Sequence, residues 1–309
     1  MADNLQTQAL KRPFKLSFEF FPPKSEDMEA QLWETVDDLA GWEPEFVSVT
    51  YGAGGTTKAP TLAVVRRLIA QTPLATASHL TCVGATREEV ANVVEEFRAV
   101  GVKHFVALRG DPPTGVGSAY QPHPGGYENA AALVAGLKDL GDFEISVSAY
   151  PEKHPESADL AMDIDMLKRK VDNGATRALT QFFFDNDLFE QYLNRVRAAG
   201  ITIPIVPGIM PILNLTQLKR FASMCGTSVP AWLDERFSGL EDRPVVRAQV
   251  AAEIAAEQIA DLQRRGVDEF HLYTMNRAPL VNATLQQLGL NKPQQQVKTT
   301  APFAESATA

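Results

Sequence analysis

Residues 144–184 read EISVSAYPEKHPESADLAMDIDMLKRKVDNGATRALTQFFF and contain one strand–helix–strand unit. The two ends, 144–150 and 177–184, are short runs rich in β-branched and aromatic residues, which is typical of strands. The segment between them carries apolar residues at helical spacing, Leu160, Ile164, Leu167 and Val171. Strands joined by a crossover of this length are parallel, because the helix returns the chain to the same end of the sheet.

The same unit repeats along the chain. Eight strand-like runs, each followed by a segment with helical spacing, lie at 15–21, 46–51, 76–81, 104–110, 144–150, 177–184, 203–209 and 269–275. Eight such units predict an α/β protein, a closed (β/α)8 TIM barrel in a single domain. The alternative is a doubly wound open sheet, which usually has fewer strands and a glycine turn for phosphate after the first. Here FPPKSED (21–27) follows the first strand, and it is not such a turn.

Two helices are marked by local signals. Thr86 and Glu89 have the spacing of a capping box, which predicts the start of a helix. The apolar positions of this helix are Val90, Val93, Val94 and Phe97. Residues 243–265 are rich in alanine and have Pro244 in the first turn, so they predict a long helix.

Composition limits the classes of function. The chain has 309 residues, of which 45% are hydrophobic and 22% charged, and its formal net charge is −9. These values are ordinary for a globular protein, and the acidic balance argues against nucleic-acid and membrane-surface partners. Cys82 and Cys225 are expected to be reduced, structural thiols. No signal peptide or membrane-spanning run is recognised, so a cytoplasmic location is expected.

The two ends differ from the middle of the chain. Residues 1–13 are polar and are expected to form a flexible N-terminus. The segment 291–309 is rich in Gln, Thr, Ala and Pro and is expected to be a disordered C-terminal tail. The predicted catalytic barrel therefore covers residues 14–290.

Polar residues recur at the carboxyl ends of the predicted strands, where barrel enzymes place their reactive groups. They are Glu19, the stretch 50–55, His79, Arg109 to Asp111, Tyr150 to His154, Gln181, Gln217, Asn276 and Arg277. Their convergence on one rim predicts a ligand site.

Glu19 is the most unusual of these residues. Strand alternation places Leu16, Phe18 and Phe20 on one face and Ser17 with Glu19 on the other. In a barrel one face meets the lumen and the other meets the helices, so neither faces solvent. A carboxylate buried there needs a partner or a function.

Three other patterns have open interpretations. The five histidines show no metal-ligand spacing, so no metal is expected, and His79 is best explained as a hydrogen-bonded strand residue. The stretch YGAGG (51–55) lacks a complete nucleotide-binding motif. The segment 109–111 is either a simple ion pair or part of a site. The helix face with Asp163, Met166 and Lys170 is either solvated or contacts the hydroxyl and phosphate groups of a nucleotide cofactor.

Nine motifs together resemble those of the methylenetetrahydrofolate reductase family. In chain order they are SFEFFPPK, FVSVTYGAGG, HLTC, ALRGDPP, AYPEKHPE, KRKVDNGA, TQFFFD, IVPGIMP and HLYTMNRA, within residues 15–290. The resemblance implies a barrel that holds FAD non-covalently. It also implies reduction of 5,10-methylenetetrahydrofolate to 5-methyltetrahydrofolate with NADH or NADPH, a step that feeds methionine synthesis. Bacterial relatives imply a homo-oligomer such as a tetramer.

The resemblance also implies residue roles. Glu19 matches the general acid, and Asp111 matches a carboxylate that contacts both pterin and flavin. The implied cofactor contacts are Thr50, Tyr51, Ala53, His79, Arg109, Gly110, Asp111, Tyr150, His154, Ser157, Asp163, Arg169 and Lys170. The implied substrate contacts are Glu19, Thr50, Asp111, Gln181, Gln217, Phe221 and Arg277. The neighbouring phenylalanines are expected to keep Glu19 protonated near neutral pH.

The sequence departs from the family pattern at Met166, where bacterial relatives can carry an asparagine, and in the long loop 112–128. The eukaryotic-type domain that binds S-adenosylmethionine is not expected. Two other functions are weighed against the reductase. A metal-dependent or Schiff-base aldolase lacks support, since the metal spacing is missing and no lysine is conspicuous within a strand beyond Lys15 at the start of the first. A non-catalytic flavin or folate binder would not need the buried Glu19.

Overall fold

The computed structural model describes residues 13–52, 58–112 and 120–293. In these ranges it contains nine parallel strands. They are β1 Lys15–Phe20, β2 Phe46–Val49, β3 Thr76–Thr81, β4 His104–Leu108, β5 Glu144–Ala149, β6 Arg177–Thr180, β7 Ile205–Val206, β8 Gly208–Ile209 and β9 Glu269–Tyr273. They follow the order β7-β6-β5-β4-β3-β2-β1-β9-β8. The predicted (β/α)8 barrel is confirmed.

Ten helices lie in the same ranges. They are α1 Glu26–Ala40, α2 Lys58–Gln71, α3 Arg87–Ala99, α4 Ala130–Leu140, α5 Leu160–Asp172, α6 Asn186–Ala198, α7 Leu215–Cys225, α8 Ala231–Phe237, α9 Pro244–Arg264 and α10 Ala278–Gln287. The predicted capping box of Thr86 and Glu89 is present at α3. Pro244 begins α9, as predicted. None of the helices in the described ranges is long and apolar enough to cross a membrane.

Pro207 divides the predicted run 203–209 into two strands, and these two strands pair with opposite ends of the sheet. Proline has no N–H to donate to a strand ladder. β7 pairs with β6 before it, and β8 pairs with β9 after it. The Pro207 carbonyl accepts from the backbone N–H of His271 at 3.0 Å. The chain therefore changes its pairing partner at Pro207. One predicted run thus forms two strands, β7 and β8, which is why the sheet has nine strands and not eight.

The run 177–184 is also shorter as a strand than predicted. β6 ends at Thr180, and Phe182 and Phe184 pack in a second apolar cluster with α7, α8 and α9. Burial of these rings against the helices outweighs continued strand pairing.

The two faces of β1 enter different layers, as alternation predicts. Leu16, Phe18 and Phe20 belong to the main apolar cluster that includes residues of the surrounding helices. Ser17 and Glu19 contact histidines of β3 and β9 within the barrel.

A charged cluster lies at the amino ends of the strands. The Arg177 guanidinium contacts Glu269 at 2.9 Å and also pairs with Glu144. It lies 5.1 Å from the centre of the Phe46 ring. Since Glu269 is buried, Arg177 compensates a carboxylate that water does not reach.

Candidate functional site

The largest group of predicted site residues lines one cavity at the carboxyl ends of β4, β5 and β6. This main cavity has a volume of about 580 Å³, within the range of small-molecule sites. Residues of α5 form one side of it. The predicted residues that line it are Tyr51, Arg109, Gly110, Asp111, Tyr150, His154, Ser157, Asp163, Arg169, Lys170 and Gln181.

A second cavity adjoins it at the ends of β1, β2 and β9. This side cavity has a volume of about 720 Å³, and Thr50, Gln217 and Arg277 line it. Tyr51 lines both cavities, so the two spaces share a wall. Of the remaining predicted residues, Phe221 packs against the second apolar cluster. Ala53 lies outside the described residues.

Glu19 lies in the lumen beside two imidazoles. Its Oε2 atom is 3.3 Å from His79 Nε2 and 3.4 Å from His271 Nε2. The residue is only 6% exposed. His79 Nε2 also lies 3.3 Å from the Ser48 hydroxyl, which confirms a hydrogen-bonded strand histidine. Among described residues, Glu19 and His79 are not part of the wall of either cavity.

The surroundings of Glu19 correct the expectation of an apolar setting. Burial alone would raise the pKa of Glu19, but the adjacent His79 and His271 outweigh it and lower the pKa to about 2. The phenylalanines that flank Glu19 in sequence point into the other layer because a strand alternates its side chains. The carboxyl group is therefore ionised by its histidine neighbours rather than kept neutral by aromatic ones.

His271 and Tyr273 are site residues that the sequence argument missed. His271 lies against Glu19, and the Tyr273 ring is 5.6 Å from the His271 ring. The Tyr273 hydroxyl donates to the Thr180 carbonyl at 2.7 Å. The alternation of side chains along a strand could have indicated them, because Glu269, His271 and Tyr273 are two residues apart on β9 and so share one face.

Arg109 is held by a partner that the sequence argument did not name. Its two terminal nitrogens donate to the Glu156 carboxylate at 2.8 Å each. Within the described ranges, the carboxylate paired with Arg109 is that of Glu156 and not that of Asp111. The suggested ion pair within segment 109–111 is therefore wrong. Asp111 and Arg109 both line the main cavity, but the Asp111 carboxylate is not paired with the Arg109 guanidinium.

Asp163 organises the turn before α5. Its carboxylate accepts from the backbone N–H of His154 and from the Ser157 hydroxyl. Lys153, in the same turn, has a φ of 84°, a conformation that is uncommon outside glycine. Asp163 thus shapes the cavity wall through the backbone of this turn.

Lys170 is a buried cation in the cavity wall. Its ammonium group donates to the Ser148 carbonyl at 2.9 Å and lies 3.3 Å from the Ser148 hydroxyl. Burial lowers the pKa of Lys170 to about 8, although Asp163 acts in the opposite direction. Arg169 also lines the cavity. Lys170 and Arg169 therefore place two basic side chains in the wall of this cavity.

Lys170 predicts a pH dependence of stability. Burial lowers the pKa of Lys170 from its ordinary value of 10.5 to about 8 in the folded chain, so between these pH values the unfolded chain binds more protons. The folded state therefore gains stability with rising pH across this window, by about 1 kcal/mol per pH unit at most. The measurement is the free energy of unfolding of the wild type minus that of Lys170→Met, at pH 7 to 10. Lys168→Met, which removes an exposed lysine of α5, is the control. The prediction is contradicted if the difference in unfolding free energy between the wild type and Lys168→Met changes with pH as much as the difference for Lys170→Met.

Asn276 joins the ends of β1 and β9. Its side chain accepts from the Phe21 backbone N–H at 2.9 Å and donates to the Phe21 carbonyl at 2.8 Å. The Asn276 carbonyl accepts from Gln31 and Thr35 of α1. Met275 and Asn276 have φ values of 51° and 52°, so two left-handed residues turn the chain toward Arg277. The hydrogen bonds of Asn276 therefore set the position of Arg277 at the side cavity.

Cys225 is not simply a core thiol. It is half-buried and lines the main cavity, whereas Cys82 is fully buried. Both are free, as expected.

Within the described residues, no group of three His, Cys, Asp or Glu side chains is placed to hold a metal ion.

Fold and site together define a (β/α)8 barrel with a polar, partly cationic cavity at the carboxyl ends of its strands and a buried Glu–His cluster in its lumen. A model of the family described as methylenetetrahydrofolate reductase matches residues 4–289. The chain belongs to the methylenetetrahydrofolate reductase family.

Three relatives show the extent of the similarity. The 5,10-methylenetetrahydrofolate reductase of Pectobacterium carotovorum is 44% identical over 287 residues, which cover 93% of this chain and 94% of that protein. The enzyme of the same name from Escherichia coli is 44% identical over 275 residues, with 89% and 90% covered. Methylenetetrahydrofolate reductase (NADH) 1 of Arabidopsis thaliana is 36% identical over 301 residues, which cover 94% of this chain and 51% of that protein.

Among solved structures, a protein of Clostridium thermocellum described as binding two copies of 5-methyl-5,6,7,8-tetrahydrofolic acid has a TM-score of 0.60. The two chains are 15% identical, and the match covers 89% of this chain and 93% of that chain. At this level of identity the likeness shows a shared fold and nothing further.

Proposed function

We propose that the protein reduces 5,10-methylenetetrahydrofolate to 5-methyltetrahydrofolate with NADH or NADPH, through non-covalently bound FAD and in two separate half-reactions. Family membership supports the overall reaction. The single structural observation that carries the proposal is the position of ionisable Glu19 in the lumen of the barrel beside two histidines, in a fold whose main cavity is lined by Arg109, Arg169 and Lys170.

The main cavity fits a flavin dinucleotide in the chemistry of its wall. Lys170 and Arg169 supply positive charge for a diphosphate, and the N-cap and the first residue of α4, Asn129 and Ala130, also line the space. Gln181 presents an amide, which can both donate to and accept from a ring. FAD, when bound, supplies the hydride chemistry between nicotinamide and folate.

Glu19 is assigned the proton transfer to the folate. The five-membered ring of the substrate opens when N10 is protonated and leaves the bridging carbon, which produces a 5-iminium cation. This carbon then becomes the hydride acceptor. Because Glu19 is ionised beside its histidine partners, it takes up a proton within this buried cluster before it donates that proton to N10.

Asp111 is assigned an electrostatic role. Its carboxylate lines the main cavity and is not the partner of Arg109, so it can accept hydrogen bonds from the pterin and stabilise the iminium charge. Gln217 and Arg277 lie around the side cavity and are assigned to the remainder of the folate.

The test is flavin spectroscopy on the purified protein. We expect a yellow protein whose flavin absorbance bleaches with NADH or NADPH and recovers when methylenetetrahydrofolate is added. A colourless protein that FAD cannot reconstitute would exclude the proposal and favour an aldolase. Bleaching without recovery would favour a flavin binder without folate reductase activity. Stopped-flow bleaching with each nicotinamide identifies the preferred reductant.

Asp111→Asn is expected to retain FAD and to slow folate reduction by about 10- to 100-fold, because the neutral amide no longer stabilises the cation. The rate of flavin recovery on adding methylenetetrahydrofolate measures the effect. Asp142→Asn, at an exposed position near the opposite end of the barrel, is the matched control. Unchanged recovery kinetics in Asp111→Asn would remove this residue from the proposed role.

A further inference from the structure

Three methionines line the main cavity, whose wall is otherwise rich in polar groups. They are Met162, Met166 and Met224. Met162 is 56% exposed and Met224 is 47% exposed, so both belong to the few large apolar side chains that remain exposed in the described ranges. An exposed apolar side chain in a cavity wall is released from water when a ligand covers it, which favours binding. This part of the cavity therefore suits an apolar portion of a ligand.

Helix α5 presents two thioethers and one ammonium group in a row. Met162, Met166 and Lys170 follow each other at intervals of four residues, so they lie on one side of the helix, about 6 Å apart along its axis. Met162 is exposed, Met166 is half-buried and Lys170 is buried. The row therefore runs from the rim of the main cavity to its depth, with the apolar groups on the rim side of the cation.

Met224 is brought to the same part of the cavity by the end of α7. Gly226, which ends this helix with a φ of 72°, lies so close to Pro155 that a Cβ atom at Gly226 would be 3.1 Å from Pro155 Cγ. Two residues later the Ser228 backbone N–H donates to the Glu152 carboxylate at 3.0 Å. The end of α7 is therefore packed against the turn that leads from β5 into α5, and Met224 borders the cavity on that side.

The positions of the polar groups indicate which portion of a flavin dinucleotide meets the methionines. Asp111 and Gln181, which are assigned to the reacting rings, follow the strands β4 and β6. The methionines belong to α5 and α7, in the helix layer. In FAD the diphosphate joins the flavin portion to adenosine. With the flavin ring at the strand ends and the diphosphate at Lys170, the adenine ring is directed toward the helices.

A thioether suits the face of an adenine ring. Its sulfur is polarizable and makes favourable contacts with aromatic rings, and the flexible side chain adapts to the shape of the ring. Methionine also has no N–H or O–H group to direct at a ligand atom. Such a surface holds the ring by apolar contact and does not depend on the amino group of adenine.

We propose that Met162, Met166 and Met224 form a methionine patch that binds the adenine ring of FAD. The inference rests on the proposed function, in which the main cavity holds FAD. The patch contributes to the affinity for the dinucleotide and touches no reacting atom.

The test is calorimetric titration of the full-length apoprotein with FAD. Met162→Gln and Met224→Gln keep the length of the side chain but replace the thioether by a polar amide. Each is expected to raise the Kd for FAD by about 2- to 10-fold, the value of one sulfur–aromatic contact. Both positions are exposed, so the variants are expected to fold. Wild-type affinity for FAD in both variants overturns the proposal.

Two further variants define the cause of the loss. Met162→Leu keeps an apolar side chain and should bind FAD more tightly than Met162→Gln; equal weakening in the two would contradict an apolar contact. Met28→Gln is the matched control, because Met28 is also an exposed methionine, at 39%, but lines the side cavity. Its Kd for FAD should equal that of the wild type. An equal loss of affinity in Met28→Gln would contradict the assignment to the main cavity.

Optical measurements identify the portion of the ligand that the patch contacts. The visible absorption band of bound flavin should be the same in Met162→Gln and the wild type, because the patch does not touch the flavin ring. A shifted band with weaker binding would place Met162 against that ring and overturn the proposal.

NADH also contains adenine, so a second optical measurement separates the two dinucleotides. Bleaching by NADH is measured on protein saturated with FAD, and the NADH concentration that gives the half-maximal rate should not change in Met162→Gln. A change in NADH binding with unchanged affinity for FAD would assign the patch to the nicotinamide dinucleotide and overturn the proposal.

These outcomes separate the inference from the function on which it rests. A wild-type protein that binds no FAD refutes the proposed function together with the inference. A wild-type protein that binds FAD and reduces the folate, with glutamine variants of unchanged affinity for FAD, refutes the methionine patch alone.

Discussion

Glu19→Gln is expected to abolish folate reduction while the protein still binds FAD and oxidises NAD(P)H. The amide cannot deliver a proton, and the loss of a general acid lowers a rate by about 10²- to 10⁴-fold. The substitution conserves size, and the side chain lies in the lumen away from the wall of the main cavity. The defect should therefore fall on one half-reaction alone. Stopped-flow absorbance of the flavin measures each half separately.

The control for this variant is Glu144→Gln. Glu144 is also a strand glutamate, but it lies at the amino end of β5 and contacts Arg177. Its substitution should leave both half-reactions close to the wild-type rates. Normal folate turnover in Glu19→Gln would exclude Glu19 as the acid and, with it, the mechanism proposed for the barrel lumen.

Arg177→Leu is expected to produce the largest loss of stability. It removes the cation that contacts Glu269 at 2.9 Å, and the Glu269 side chain is only 8% exposed. A buried carboxylate left without its partner costs about 3–5 kcal/mol. Chemical denaturation followed by circular dichroism gives the free energy of unfolding. The main cavity lies at the opposite end of the barrel from this change, so under the proposed function the folded fraction should still bind FAD.

Two further variants define the cause. Glu144→Gln removes the half-exposed partner of Arg177 and should cost no more than about 1 kcal/mol. The double variant Arg177→Leu with Glu269→Leu replaces both buried charges and should recover much of the lost stability. If the loss of unfolding free energy in the double variant equals the sum of the losses in Arg177→Leu and Glu269→Leu, the loss comes from packing and not from an unpaired charge.

Several expectations from the sequence stay predictions. The flexible N-terminus and the disordered tail fall mainly outside the described residues, as does Ala53. The homo-oligomer is implied by the resemblance to bacterial relatives. The roles of Thr50, Tyr150 and Phe221 toward ligands are implied by that resemblance too.

The helix face on α5 illustrates what a local pattern can decide. Asp163, Met166 and Lys170 recur at helical spacing beside the apolar stripe, and all three line the main cavity. The periodicity of a helix makes this grouping readable without a structure. It does not show that Asp163 is engaged by the turn at His154 and Ser157, because those bonds depend on how the loop closes.

The sequence by itself determined three features: the order of strands and helices, the face of β1 that carries Glu19, and the rim where polar residues gather. The first two follow from short-range periodicity, and the third follows because parallel strands end at the same side of a barrel. Only the tertiary structure decided which groups touch Glu19. His271 is 252 residues away along the chain and meets it because β9 pairs with β1 as the barrel closes. The phenylalanines beside Glu19 in sequence face away from it, so the local composition suggested an apolar setting where barrel closure supplies two imidazoles.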